Sequence, residues 1–362
     1  MTDNLNTIAF HITDNCNAHC PMCYENAQQN LDLNGELDTL KKIAHNAIRY
    51  GKVENFLMVG GDPCAFPHLI ELMRYIKDEG ERYGVDTFIE VLSNTHDYRE
   101  NGKIVPMEEV VKLVDKMNIT VHGSTPLLHD IFNGVPGSYN HMIENVRKYI
   151  ECKGDDQSVG LTLNIMPHTI YSLENIILNT NRDLGGNIVD LCIQRIAPVG
   201  RAEGNLEFLI EKPDVNVFMP VLEKAYQSGM GIDICDCFPY CSVKEVYRHL
   251  LPKGGCQWGR NILSVQRNGD MTRCALSSRV IGNMVKLDSE EKYFDWWENC
   301  PELESFRRGA HLNEACKQCK QVDECGGGCL MARDTGDPYR FGAENVTTGR
   351  DYLATTDYKD GK

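Results

Sequence analysis

A short apolar run, Thr7-Ile8-Ala9-Phe10-His11-Ile12, opens the pattern of the chain and reads as a buried strand. Similar runs recur at 55–60, 87–92, 118–122, 160–165 and 189–195. Between them the apolar positions change period. Leu37, Leu40, Ile43, Ala47 and Ile48, then Leu69, Leu72, Met73 and Ile76, fall at the spacing of one helix face. Six strand–helix units in succession predict an α/β fold, a partial (β/α)6 TIM-like barrel with its site at the C-terminal strand ends. The barrel is expected over residues 1–234. A small cysteine-rich domain over 235–345 and a polar tail over 346–362 should follow.

Composition narrows the class. The chain has 362 residues, long enough for one barrel and a small second module, and 16 cysteines. A secreted protein would use so many thiols as disulfides. Here the start, Met1-Thr2-Asp3-Asn4, lacks the basic and apolar regions of a signal peptide, so a cytoplasmic protein with reduced, metal-bound thiols is expected. No run has the apolar length of a membrane span. A net charge of −15 argues against nucleic acid as a partner, because phosphates call for a basic surface.

The cysteines are not scattered. Cys16, Cys20 and Cys23 read C-N-A-H-C-P-M-C directly after the first strand. Three thiolates hold three irons of a four-iron cluster and leave the fourth open to a ligand. The alternative is a zinc site on Cys16, His19, Cys20 and Cys23, which would crowd four ligands onto one tight loop. Downstream, the second strand ends in Gly60-Gly61-Asp62-Pro63, where glycines permit close backbone approach and proline fixes the turn.

The C-x3-C-x2-C loop and the Gly-Gly-Asp-Pro turn together resemble the radical S-adenosylmethionine (SAM) enzymes, whose usual turn carries Glu where this chain has Asp62. The resemblance implies a [4Fe-4S] cluster with an open iron site on Cys16, Cys20 and Cys23, and SAM held at that iron. It implies cofactor-binding roles for Tyr24, Gly60, Gly61, Asp62, Pro63, Ser93, Asn94, Asn164 and Arg195, all placed at strand ends or the cysteine loop. Thr120-Val121-His122-Gly123 stands where the family often has Ser-Leu-Asp-Gly, which makes His122, with Arg195, a candidate catalytic residue. A strand-end His or Arg is also a common structural group. The implied chemistry is reductive cleavage of SAM to a radical that removes hydrogen from an unactivated carbon.

A second cysteine system lies toward the C-terminus. Cys256, Gly269 and Cys274 precede Cys316-x2-Cys319-x5-Cys325-x3-Cys329. This resembles the SPASM extension of radical SAM enzymes, which implies two auxiliary [4Fe-4S] clusters; a zinc ribbon does not suit the x5 and x3 spacings. By the resemblance Cys256, Cys274 and Cys329 serve one cluster and Cys316, Cys319 and Cys325 the other. The family's further cysteine is not present after Cys329, so each set is one ligand short. Cys241, from Cys235-Asp-Cys237-Phe-Pro-Tyr-Cys241, is the expected fourth ligand of the first set; Asp337 or another oxygen ligand is a candidate for the second, and an open iron is the alternative. Cys64, Cys152, Cys192 and Cys300 read as core thiols.

SPASM-containing relatives mostly act on peptides. The expectation is a maturase that installs a thioether or carbon–carbon cross-link in a ribosomally made precursor peptide. Its partners would be that peptide and a flavodoxin- or ferredoxin-type electron donor. With only fifteen residues before Cys16, leader recognition falls to the cap, the barrel loops or a separate leader-binding protein. A sulfatase-maturing enzyme is the runner-up, although that type resembles Cys-Asp where this chain has Cys274-Ala275. The contrasting class is a non-catalytic iron–sulfur or zinc protein, against which the three-cysteine loop argues.

Overall fold

The computed structural model describes residues 4–331, apart from residues 30, 96, 211 and 236. Seven parallel strands stand in sequence order: β1 (Thr7–Thr13), β2 (Asn55–Gly60), β3 (Phe88–Ser93), β4 (Lys116–Thr120), β5 (Ser158–Ile165), β6 (Ile188–Arg195) and β7 (Gly231–Ile234). The α/β barrel read from the apolar pattern is therefore present, with its strands within two residues of expectation. The seventh strand is a departure from the expected six. Its four residues, Gly-Ile-Asp-Ile, contain no apolar run long enough to announce it.

Helices α1 (Leu37–Gly51), α2 (Leu69–Tyr83), α3 (Pro126–Asn133), α4 (Ser138–Cys152), α5 (Leu173–Asp183) and α6 (Lys212–Gln227) cover the outer face. In α1 the stripe Leu40, Ile43, Ala47 and Ile48 is fully buried, as are Leu72, Met73 and Ile76 in α2. Each such aliphatic side chain contributes roughly 1.5–3 kcal/mol on burial. Among the described residues a hairpin and a single helical turn, Met107–Val110, connect β3 to β4.

The C-terminal region continues the same sheet. β8 (Ile262–Val265) pairs parallel with β1, and β9 (Asp270–Thr272) and β10 (Val280–Asn283) follow antiparallel, so ten strands run β10-β9-β8-β1 through to β7. Helix α7 (Glu290–Asn299) then docks on α1. The buried Tyr293 ring fills the space where a Cβ on Gly51 would stand, and Asn46 Nδ2 donates to Met284 O at 2.9 Å.

Inside the barrel, alternation places residues 90, 116, 118, 160, 162 and 190 on the inner face. They form a polar floor. Lys116 Nζ lies 2.9 Å from Asp190 and 3.4 Å from Glu90, Asn118 donates to Glu90, and Thr162 donates to Asn118. Burial alone pulls the Lys116 pKa down, but Glu90 and Asp190 outweigh it and hold the ammonium above its ordinary value. Gly160 leaves room for this network, since a Cβ would stand 2.4 Å from Asp190 Oδ1.

Candidate active site

Above the floor, one cavity fills the C-terminal mouth of the barrel. Cys16, Cys20 and Cys23 line it, together with Tyr24, Gly60, Gly61, Ser93, Asn94, His122, Asn164 and Arg195. Most of the residues expected from the sequence at the cofactor thus meet in one place. The cysteine loop is held by main-chain bonds and by a clamp from the far side. Arg201 Nε donates to Cys20 O at 2.9 Å, its NH1 donates to Ala27 O at 2.7 Å, and its amide donates to Cys23 O at 2.9 Å. Gly200 makes the clamp possible. Its φ is +61°, and a Cβ would stand 2.2 Å from Tyr24 O.

The thiols carry an electrostatic demand. Burial first, then Cys23, pushes the Cys20 thiol up to about 12 against a partial pull from Arg201, and burial with Asp62 raises Cys16 well above an ordinary thiol. Buried thiols become thiolates only beside positive charge, and a metal group supplies it. The donor set therefore fits an iron–sulfur cluster. Two side chains reach the sulfurs: Asn94 Nδ2 lies 3.8 Å from Cys16 Sγ, and His122 Nε2 lies 3.7 Å from Cys20 Sγ. Burial, then His129 and His168, lowers the His122 pKa to about 3, so its ring is neutral at pH 7. The ring stacks on His129 at 5.6 Å and lies 4.9 Å from Phe132.

Two expected cofactor residues are placed differently from the rest. Asp62 and Pro63 do not line the cavity. The Asp62 carboxylate is buried and accepts from the Cys64 amide at 2.8 Å, the Ser93 hydroxyl at 2.7 Å and the Asn94 amide at 3.0 Å. A side chain this short folds back on its own turn, so Asp62 ties the end of β2 to the end of β3. The two glycines likewise make room for backbone. A Cβ on Gly60 would meet Thr13 O at 2.1 Å, and one on Gly61 would meet Asn15 O at 2.3 Å. The turn is thereby pressed against the strand end that leads into Cys16. Arg195 is buried, with its guanidinium over the Phe238 ring at 5.1 Å.

The opposite wall of the cavity comes from the C-terminal region. Cys256, Cys274 and Cys329 line it with Trp258 and Leu330. Arg273 is buried among them. Desolvation pulls its pKa down, but Cys274, Cys256 and Cys329 together outweigh this and raise it. Its guanidinium lies 4.4 Å over the Phe306 ring and donates to Trp258 O at 3.2 Å. The stretch expected to supply the fourth ligand divides in burial. Cys237 is buried and packs with Cys256, Phe306 and Leu330, whereas Cys241 is exposed. Cys316, Cys319 and Cys325 sit further out, on short turns around Gln321. Asp337 and the expected tail lie outside the described residues.

None of the sixteen cysteines forms a disulfide. Cys64 and Cys300 are buried as expected, and Cys152 is half-buried. Cys192 is not an isolated core thiol. Its Sγ lies 2.7 Å from Cys235 Sγ, with the Asp233 carboxylate 3.6 Å from the latter. Sequence reasoning missed Arg201 and Arg273, and it named Cys237 only within the stretch from which Cys241 was preferred. Gly200-Arg201 beyond the sixth strand and Arg273 beside Cys274 were weak signals, because an arginine near a motif usually points to solvent.

Comparison with known proteins matches residues 10–177 to the Radical SAM superfamily. This part of the chain is a radical SAM domain, and the protein is an enzyme. It is similar to AdoMet-dependent heme synthase of Methanosarcina barkeri, 22% identical over 351 residues, covering 90% of this chain and 92% of that one. Two further relatives carry the same name. It is also similar to PqqA peptide cyclase of Ruegeria pomeroyi, 23% identical over 326 residues, covering 88% and 80%. In fold it resembles Streptococcus suis SuiB bound to precursor peptide SuiA, with a TM-score of 0.68 at 13% identity, over 93% of this chain and 74% of that one.

Proposed function

We propose that this protein is a radical SAM peptide maturase that installs an oxidative cross-link, thioether or carbon–carbon, in a ribosomally made precursor peptide. One observation carries the reading. A single cavity has the three-cysteine loop on one wall and Cys256, Cys274 and Cys329 on the other, and it continues into an open groove through Tyr24, Ala275, Leu276 and Met331, which line both. An extended chain fits such a groove better than a compact molecule does. On this reading residues 235–345 act as a SPASM-type cap over a barrel of residues 1–234.

Cys16, Cys20 and Cys23 would hold a [4Fe-4S] cluster, which with SAM supplies the hydrogen-abstracting radical. Arg201 fixes the loop, while Asn94 donates toward the Cys16 sulfur and His122 Nε2 lies beside the Cys20 sulfur. Met22, Leu57, Val59, Leu92 and Ile196 give the cavity apolar walls that keep water from a reactive centre. The cap cysteines would hold auxiliary clusters that take up the electron left over when two hydrogens depart. A flavodoxin- or ferredoxin-type donor, a cytoplasmic location and a separate leader-binding protein belong to the same proposal. No described helix is long and apolar enough to cross a membrane.

The names of three relatives favour a second reading, a heme-forming oxidation. The groove speaks against it. Among the described residues Asp14, Glu25, Glu203 and Asp270 line the groove with Arg267 as the one basic side chain, and Arg267 is paired with Asp14 at 3.1 Å. A porphyrin precursor bearing several carboxylates meets the wrong charge there, whereas a neutral or basic peptide does not. The test is anaerobic incubation of reconstituted, reduced protein with SAM and either a precursor peptide encoded beside the gene or an iron porphyrin. Loss of two hydrogens from the peptide supports the proposal. Heme formation with an unchanged peptide mass overturns it, and absence of 5′-deoxyadenosine with both substrates sinks the enzyme reading altogether.

A further inference from the structure

Two cysteine-bearing segments of equal length lie alongside one another in the cap. One is 237–241, C-F-P-Y-C; the other is 325–329, C-G-G-G-C. They run in opposite directions. At one end the Cys329 amide donates to Cys237 O at 2.9 Å; at the other the Tyr240 amide donates to Cys325 Sγ at 3.3 Å. Pairing Cys237 with Cys329 therefore puts Cys241, next to Tyr240, at the end that carries Cys325.

The glycines between Cys325 and Cys329 make this approach possible. All three have positive φ, and a Cβ on Gly328 would stand 2.9 Å from Pro239 Cδ. On Gly326 it would stand 2.7 Å from the Cα of Gly255, next to Cys256. Bare backbone thus lets two cysteine-bearing strands of chain meet. Arg248 fastens the outer end, donating from Nε to Tyr240 O at 3.1 Å and from NH1 to Gln321 Oε1 at 3.4 Å, between Cys319 and Cys325. The burial differs in the same sense. Cys237 shares the packed seat of Cys256, and Cys241 is exposed, as Cys319 is.

We propose that residues 237–241 supply the missing ligand to each auxiliary cluster: Cys237 joins Cys256, Cys274 and Cys329, and Cys241 joins Cys316, Cys319 and Cys325. This rests on the reading that the cap holds two clusters, and it makes both of them fully cysteine-ligated. Neither then offers an open iron to a substrate thiolate, so both act as electron carriers, and the bond-forming carbon must be positioned by the cavity walls.

The test uses the full chain, reconstituted anaerobically. Iron and sulfide per chain, the Mössbauer and EPR spectra of the reduced protein, and alkylation of each thiol by iodoacetamide are measured for the parent and for Cys237→Ser, Cys241→Ala, Cys235→Ala and Asp337→Ala. The expected parent value is about twelve irons, falling by about four or changing spectrally in Cys237→Ser and Cys241→Ala, and unchanged in the other two. Cys241, although exposed, should resist alkylation when loaded and react after chelation of iron. Full iron and unaltered spectra in Cys241→Ala, or alkylation of Cys241 in the loaded parent, overturn its assignment. The same spectra in Cys237→Ser overturn the assignment of Cys237. A parent with only about four irons would instead fail the auxiliary-cluster reading itself, which separates the two failures.

Discussion

The two sulfur-bearing regions that face each other across the cavity are built in opposite ways. The N-terminal loop presents Cys16, Cys20 and Cys23 on a segment held from behind, by Arg201 and by the strand ends at Thr13 and Asn15, so its sulfurs look into open space. The cap instead packs its sulfurs into a seat of Phe306, Trp258 and Leu330, with the guanidinium of Arg273 among them. The first arrangement leaves room for a ligand to bind and react. The second brings an arginine and aromatic rings up to its sulfurs, although Cys256, Cys274 and Cys329 line the same cavity. On the proposed reading catalysis falls to the first region and electron storage to the second, and what distinguishes them is the support around each sulfur rather than burial, since Cys16, Cys256, Cys274 and Cys329 are equally buried.

The widest test of that contrast separates the two regions by function. Cys20→Ala should lower SAM cleavage by at least about a thousandfold, roughly 4 kcal/mol in the barrier, with the cap iron retained. Cys274→Ala should leave SAM cleavage near the parent rate but yield little cross-linked peptide. Chromatography of 5′-deoxyadenosine beside peptide mass spectrometry reads both, and equal losses in both assays for both variants would erase the distinction.

The backbone supports offer the next contrast. Gly200→Ala places a Cβ against Tyr24 O in a positive-φ position and should cost about 1–3 kcal/mol, concentrated on the N-terminal loop. Gly328→Ala should do the same to the cap. Iron loss should follow the region touched; identical spectra from the two variants would show that the regions are not independent.

A smaller effect is expected with pH. Burial depresses the His129 pKa from 6.5 to about 4, opposed in part by Asp130, so the ring folds neutral. As pH falls below 6.5 the unfolded chain takes up the proton first, and stability is lost down to about pH 4. At about 1.4 kcal/mol per unit this amounts to roughly 3 kcal/mol. Urea unfolding of the parent and His129→Gln at pH 7 and pH 4.5 should show a steeper acid loss in the parent; parallel curves would discard the assignment. Least of all, a mild disulfide oxidant should join Cys192 to Cys235 with loss of two hydrogens in mass, and Cys192→Ser should abolish it. An unchanged mass in the parent would show that the 2.7 Å approach is not productive.

Much of this was legible along the chain. Apolar runs of strand length separated by helical spacing dictated the barrel, because burial on both faces admits little else. The alternation Lys116, Asn118, Thr120, His122 against Met117, Ile119, Val121 even carried the inner face of β4, although only the fold shows that it begins in a charged floor and ends at Cys20. Motif spacing placed the cysteine loop, which is local chemistry and needs no partner. The hydrogen bonds of Asp62 were not legible for the opposite reason: its three donors come from its own turn and from the end of β3, and no spacing encodes that meeting.

The sequence alone therefore determined which atoms can bind iron and the class of barrel that carries them, since both follow from composition and short-range period. Only the tertiary structure decided which thiols face one another. It paired 237–241 with 325–329, set Cys192 against Cys235 and closed the clamp of Arg201. Contacts between segments distant in the chain depend on how the whole sheet and cap pack, and single-sequence periodicity carries no record of them.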